Sequence, residues 1–294
     1  MSVEGITEVA DKTYRLEVPV AGAYVPTVAY FIKDGNGALI EPGPGAAVPA
    51  LRLAMEHLGL SELAYIIPTH IHVDHAGSAG ALAKLYPKAK VLVHPRGARH
   101  LANPAHLIEI TERIYGSDFE TRSGTVLPVP ESQLGVVEHG EMIVLGDTQL
   151  QIIHAPGHSS HHFVILDMNH EGLFCGEALG LPPHLLPSVA PYSFDQDVYL
   201  DTIESLRQLH PRTLFYSHGG TDNEPDTAFS RAAENARNYG KMVLEGIRNG
   251  DSRADIALHF AADVRSRFGL LFDQEGSEMF VTGYSMYYDK KGLA

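Results

Sequence analysis

The chain has 294 residues, of which 44% are hydrophobic and 20% charged, and it carries a net charge of −14. That length and balance suit a globular protein with a sizeable core. The acidic excess, with no basic run anywhere, argues against a nucleic-acid partner, which needs Lys and Arg on phosphate, and no stretch approaches the roughly 18 uninterrupted apolar residues of a membrane helix. A single cysteine, Cys175, leaves no intrachain disulfide, and Met1 to Thr13 has acids in place of a basic-then-apolar signal. Both point to a cytoplasmic protein with no membrane partner.

The first part of the chain reads as β-rich. Thr13 to Val18 alternates like a half-buried strand, and Val28 to Lys33 and Ala38 to Glu41 flank the hairpin signal Asp34-Gly35-Asn36-Gly37. Pro42-Gly43-Pro44-Gly45 breaks the pattern, and a helix is predicted from Ala46 to Leu58, with Leu51, Ala54, Met55 and Leu58 on one face. A short apolar strand follows at 63–67, then a loop, then a helix over 79–86. Lys90 to His94 is a strand, and Pro95 to Tyr115 is helical with a stop and restart at Asn103-Pro104. The Ser, Thr, Gly and Pro content of Gly116 to Pro130 predicts a long surface loop.

A second β-rich half begins near Val136. Met142 to Leu145 and Gln149 to His154 flank Gly146-Asp147, and His162 to Asp167 and Leu173 to Cys175 flank Asn169 to Gly172. Ala178 to Phe194 is a Pro-rich loop without periodicity; Asp195 to Leu209 is helical, and Thr213 to Tyr216 is a strand. The remainder is helical: Asp226 to Arg248, a helix opened by the capping box Ser252-x-x-Asp255, and Glu275 to Tyr288.

Chemistry concentrates on the loop after the 63–67 strand. His70, His72, Asp74 and His75 place four metal-binding side chains within six residues. In extended chain, side chains two apart point the same way, so His70 and His72 can reach one ion, while Asp74 and His75 sit where the chain turns. His158, Glu177 and His218 likewise stand at turns just past β runs. Five imidazoles and two carboxylates, with no thiolate, suit Zn first, then Fe or Mn. Seven ligands exceed one tetrahedral ion and fit two divalent ions sharing a bridge.

This ordered set resembles the motifs of the metallo-β-lactamase-fold hydrolases over about residues 13–220. The resemblance implies an α/β (α+β type) fold, an αββα sandwich over residues 1–224, and a helical C-terminal cap at 225–294 packed on the same domain. It implies that His70, His72 and His158 hold one metal, that Asp74, His75 and His218 hold the other, and that residue 177 bridges. The chain has Glu177 where most of the family has Asp. Glu41 and His162 occupy positions that the resemblance makes supporting residues near the metals, whereas His161 reads as a polar strand start. Within the superfamily the chain is similar to the glyoxalase II-like thioesterases and to the PqsE-like quinolone-signal response thioesterases, on Phe174 to Gly180 and Ser217 to Gly220.

The expected function is a metal-dependent hydrolase in which hydroxide on the metals attacks an ester or thioester carbonyl of a small-molecule substrate. Asp74 would hold the attacking oxygen, and Tyr192 and His184 are the candidate donors to the oxyanion. A lactonase or other C–O hydrolase fits the same ligands, and a ligand-sensing protein that keeps the site as a relic is the non-enzymatic alternative. A homodimer is compatible with the sequence. Cys175 lies in an apolar strand with no local base and is not expected to be a nucleophile.

Overall fold

A computed structural model describes residues 5–18 and 26–293 of the chain. Contacts divide them into two compact units. The first holds the chain up to His154 together with His161–Gly176 and Pro211–Asn223; the second holds Ala155–Ser160, Glu177–His210 and the chain from Glu224 onward.

The first unit contains both sheets. The chain opens with β1 (Thr7–Ala10), β2 (Thr13–Val18), β3 (Thr27–Ile32) and β4 (Ala38–Ile40), antiparallel neighbours in that order. Then α1 (Val48–Leu58) carries the chain to β5 (Tyr65–Ile67), parallel to β4. Next, α2 (Val73–Ala76) and α3 (Ala79–Leu85) lead to β6 (Lys90–Val93), and α4 (Pro95–Ala102), α5 (Ala105–Tyr115) and α6 (Phe119–Ser123) lead to β7 (Leu134–Val136). These seven strands form one sheet in chain order. The other runs from the edge strand β8 (Met142–Leu145) through β9 (Thr148–His154), β10 (Phe163–Asp167), β11 (Gly172–Gly176) and β12 (Thr213–Tyr216) to β13 (Thr221–Asp222).

Strand β3 shows how the layers form. All six of its residues are buried, and they alternate between two cores. Val28, Tyr30 and Ile32 join Ile40, Ile67, Leu150, Ile152, Phe163, Ile165, Phe174 and Phe215. Ala29 and Phe31 face the other way, into Leu51, Met55, Leu82 and Leu101 of the helices. The period of two thus gives β3 one face for the opposite sheet and one for helices. Tyr30 packs edge-on against Phe174 and Phe215 at 5.2 and 5.6 Å, and its hydroxyl donates to Tyr216 O at 2.6 Å.

Asp34 pins the hairpin turns of the two sheets together. Its carboxylate accepts from Lys12 Nζ at 3.0 Å, from the amides of Asp147 and Thr148 at 2.9 and 3.0 Å, and from Thr148 Oγ1 at 2.9 Å.

The second unit is built on α7 (Gln196–Arg207), α8 (Pro225–Asn249), α9 (Arg253–Phe268) and α10 (Gln274–Lys291). Tyr239, Phe260, Phe280 and Tyr284 are buried at its centre, with Phe260 stacked on Phe280 at 4.0 Å. Ser252 caps α9 as the capping box predicts, its side chain accepting from Asp255 N. No helix among the described residues is long and apolar enough to cross a membrane.

Most predicted elements are present within a few residues. The stretch Gly116 to Pro130 differs: α6 forms there, because Phe119 is 2% exposed and joins the helix-side core. A single buried aromatic has no periodicity to announce it.

Candidate metal centre

Strand β5 ends at Ile67, the chain bends at Thr69, His70 and His72, and α2 begins at Val73 with His72 as its N-cap. That places His70 and His72 on the loop and Asp74 and His75 in the first helical turn. Backbone hydrogen bonds fix the loop: Gly43 N donates to His75 O at 3.0 Å, Phe163 N donates to Thr69 O at 3.0 Å, and Thr27 Oγ1 donates to Asp74 O at 3.3 Å. His218 follows β12 and bridges back to Thr27 of β3.

Within the first unit these side chains converge. The His70 ring lies 4.6 Å from that of His72 and 4.0 Å from that of His75, and His75 lies 5.2 Å from His218. Asp74, His75 and His218 offer ligand atoms within 4.8 Å of one another. His70 and His75 are almost fully buried. Imidazolium groups this close and this buried would repel and be poorly solvated, so the cluster suits neutral rings gathered on a cation.

The ring nitrogens of His75 and His218 sort the same way. His75 Nδ1 is bonded to Glu41 Oε2, and its Nε2 lies 3.3 Å from Asp74 Oδ2. His218 Nδ1 faces Pro26 O at 3.4 Å, and its Nε2 lies 3.7 Å from Asp74 Oδ2. His70 Nδ1 is 3.0 Å from Thr69 Oγ1. Carbonyl and ionised carboxylate oxygens only accept, so the protons of His75 and His218 sit on Nδ1 and the Nε2 lone pairs are directed at a carboxylate. Nε2 lone pairs and a carboxylate brought together in this way are a donor set that suits a cation. An imidazole held through Nδ1 by an acceptor is also how a ligating histidine is oriented.

Glu41 is central to this arrangement. It is 1% exposed, its other oxygen accepts from Thr69 N at 2.8 Å, and its backbone holds φ +55°. A left-handed φ on a non-glycine residue is strained and persists where the surroundings impose it.

In the second unit, His158 and Glu177 form a pair of the same kind. His158 Nδ1 donates to Ser188 O at 2.9 Å, so its Nε2 is turned to Glu177 Oε2 at 2.9 Å. Both residues are buried. Gly157 precedes His158 at φ +129°, where a Cβ would run into the Tyr199 backbone of α7.

A divalent cation therefore fits the residues present in both units, by donor chemistry and by orientation. Of the predicted ligands, the first unit gathers His70, His72, Asp74, His75 and His218, and the second pairs His158 with Glu177. Tyr192 lies on the loop after β11, 67% exposed and at φ +72°. The His184 ring is stacked on Phe268 at 4.5 Å, and its peptide oxygen accepts from Asn235 Nδ2 at 2.7 Å.

Two features, the place of His161 and the role of Ser188, escaped the sequence reading. His161 was expected to be only a polar strand start, yet its ring lies 6.2 Å from His70 and 5.6 Å from His72. His162 next to it is fully buried, 5.0 Å from His70, and Gly176 at φ +52° leaves the space that its ring and Thr69 Oγ1 fill. Ser188 holds both His158 and Glu177 from a loop with no motif. Cys175 is fully buried, and burial pushes its thiol far above the ordinary range, which removes it as a nucleophile.

The family model for the metallo-beta-lactamase superfamily matches residues 23–218, well over half of the chain. The chain belongs to the metallo-β-lactamase superfamily. The superfamily protein ST1585 of Sulfurisphaera tokodaii is 30% identical over 167 residues, covering 55% of this chain and 62% of that protein. The acyl-coenzyme A thioesterase MBLAC2 of Homo sapiens is 30% identical over 155 residues, covering 50% of this chain and 52% of that one. The hydroxyacylglutathione hydrolase of Aeromonas salmonicida (strain A449) is 30% identical over 158 residues, covering 53% and 48%. The chain thus spans less than two thirds of each of these relatives. A metallo-beta-lactamase family protein from Thermus thermophilus superposes with TM-score 0.78 at 21% identity over 97% of this chain and 95% of that one. That likeness supports the two-sheet superfamily fold with its C-terminal helices.

Proposed function

We propose that this chain is a metal-dependent hydrolase of thioesters or esters of small molecules that uses two divalent ions, Zn first and Fe or Mn next. In the first unit Asp74, His75 and His218 are the ligands of one ion, with His70 and His72 as further ligands; in the second, His158 and Glu177 are ligands. The reading rests on one observation above all: His75, His158 and His218 each have Nδ1 on an acceptor and Nε2 turned to a carboxylate oxygen. Curated relatives that include an acyl-coenzyme A thioesterase and a hydroxyacylglutathione hydrolase support the thioester class.

A divalent cation supplies Lewis acidity toward a carbonyl and toward water at neutral pH. The chain supplies the rest. Glu41 and the carbonyls of Pro26 and Ser188 hold the imidazoles by Nδ1 and aim them. Asp74, whose side chain is 40% exposed, would hold the attacking water through its carboxylate. Tyr192 is the first candidate to donate to the developing oxyanion, since its ring is exposed on a strained residue. His184 is the second, with its ring fixed against Phe268. No membrane or nucleic-acid partner enters the reading, and a cytoplasmic location and a homodimer are carried as parts of it.

Turnover of an acyl-thioester panel beside a lactone panel, by metallated and chelated protein, tests this. The expected result is thioester hydrolysis that is lost on chelation and restored by metal. Lactone turnover alone would move the reading to a lactonase. No turnover by metallated protein on either panel would favour a ligand-sensing role.

A further inference from the structure

Glu177 carries one methylene more than the Asp that the family resemblance implies, so its carboxylate has freedom that an Asp lacks. The second unit removes that freedom through Ser188. The Ser188 hydroxyl donates to Glu177 Oε1 at 2.7 Å, and Ser188 is 9% exposed while Glu177 is 7% exposed. A hydroxyl has one proton, and here it is spent on an ionised acceptor, a charge-assisted and therefore strong bond. The peptide carbonyl of the same residue accepts from His158 Nδ1 at 2.9 Å, and His158 Nε2 in turn faces Glu177 Oε2 at 2.9 Å.

These contacts make a closed ring of three residues. One residue eleven positions beyond Glu177 fixes the tautomer of the histidine with its backbone and the rotation of the carboxylate with its side chain. The loop is anchored again just after Tyr192: Ser193 Oγ donates to His158 O at 3.2 Å, and Asp195 N donates to Gly157 O at 2.9 Å.

We infer that Ser188 is a positioning residue that makes Glu177 a one-oxygen ligand, committing Oε1 to the hydroxyl so that Oε2 alone is presented to a cation beside His158 Nε2. The assignment deepens the metal-dependent reading and rests on it.

The two jobs of Ser188 can be separated. Ser188→Ala keeps the peptide carbonyl, and so the hold on His158, but frees Oε1. Ser188→Thr keeps the hydroxyl. Co(II) is the probe, titrated into chelator-stripped full-length wild type and both variants, with affinity and the visible absorption band as readouts. Loss of a partner that orients a ligand lowers metal affinity by about 10–100-fold. Ser188→Ala is therefore expected to lose affinity in that range at one site and to shift the band, while Ser188→Thr restores both. Wild-type affinity and an unchanged band in folded Ser188→Ala would overturn the role of Ser188 and leave the metal reading standing. If Ser188→Ala does not fold, Ser188→Thr decides alone: a wild-type band supports the role, and loss of the band in folded protein overturns it. No Co(II) binding by wild type would overturn both.

Discussion

Glu41 holds His75. The carboxylate reaches the imidazole through Oε2 and the start of the metal-binding loop through Oε1, and both residues are at most 1% exposed. One side chain just past β4 thus meets a histidine in α2 through one oxygen and the Thr69 amide of the preceding loop through the other. Glu41→Ala should lower divalent-metal affinity at the Asp74, His75 and His218 group by about 10–100-fold, with the fold retained by circular dichroism. Competition with a coloured chelator measures this, and wild-type affinity in folded protein would refute the role of Glu41.

Asp34 makes the stability of the sandwich depend on acid. Burial pushes its carboxyl up, but the Lys12 ammonium, Thr148 Oγ1 and the amides of Asp147 and Thr148 outweigh burial and hold it at about 2, below the ordinary 3.8. The unfolded chain therefore binds more protons between those values, and stability rises with pH there. The contribution of Asp34 is complete well above its ordinary value and fades as pH falls toward about 2. Asp34→Ala should flatten that part of the profile. Stranding the amide of the buried Thr148 should also cost on the order of 1 kcal/mol. Urea midpoints from about pH 5.5 down to about 2.5 test both, and parallel profiles for variant and wild type would contradict the account.

At Gly176 the close approach of His162 and Thr69 leaves no room for a Cβ, and φ is +52°. Gly176→Ala should destabilise the protein by roughly 1–3 kcal/mol, through a strained φ and displaced neighbours. It should also disturb His162 and so the rings beside it. A melting temperature equal to wild type would show that the site yields more easily than its packing implies.

Cys175 gives a prediction of no effect. Its Sγ donates to Leu173 O at 3.3 Å inside β11, away from any base. Cys175→Ala should keep turnover within about twofold and lose about 1 kcal/mol of stability from lost packing. A loss of turnover by three orders of magnitude in folded protein would bring back the nucleophile reading.

The candidate ligands were legible as a group because His70, His72, Asp74, His75, His158, Glu177 and His218 all follow β runs, where a strand must end and a turn can aim side chains. The β3 alternation and the long helices were legible for the same reason: period and length are written in the residues. The residues that orient the ligands were harder. Glu41 could be read only by resemblance, Ser188 sits in a loop with no pattern, and His161 looks like any polar strand start until the backbone brings it beside His70. Helix α6 and the short strands β1, β7 and β13 depend on partners far away in sequence, as Phe119 does on the helix-side core.

Metal content per chain, by elemental analysis of protein purified without added metal, tests the central claim most directly, with His72→Ala measured alongside. The account predicts two equivalents of a first-row transition metal, Zn foremost, in wild type and a reduced content in His72→Ala. A wild-type protein with no stoichiometric metal, or a His72→Ala protein with unchanged content, would contradict the assignment of these histidines as ligands.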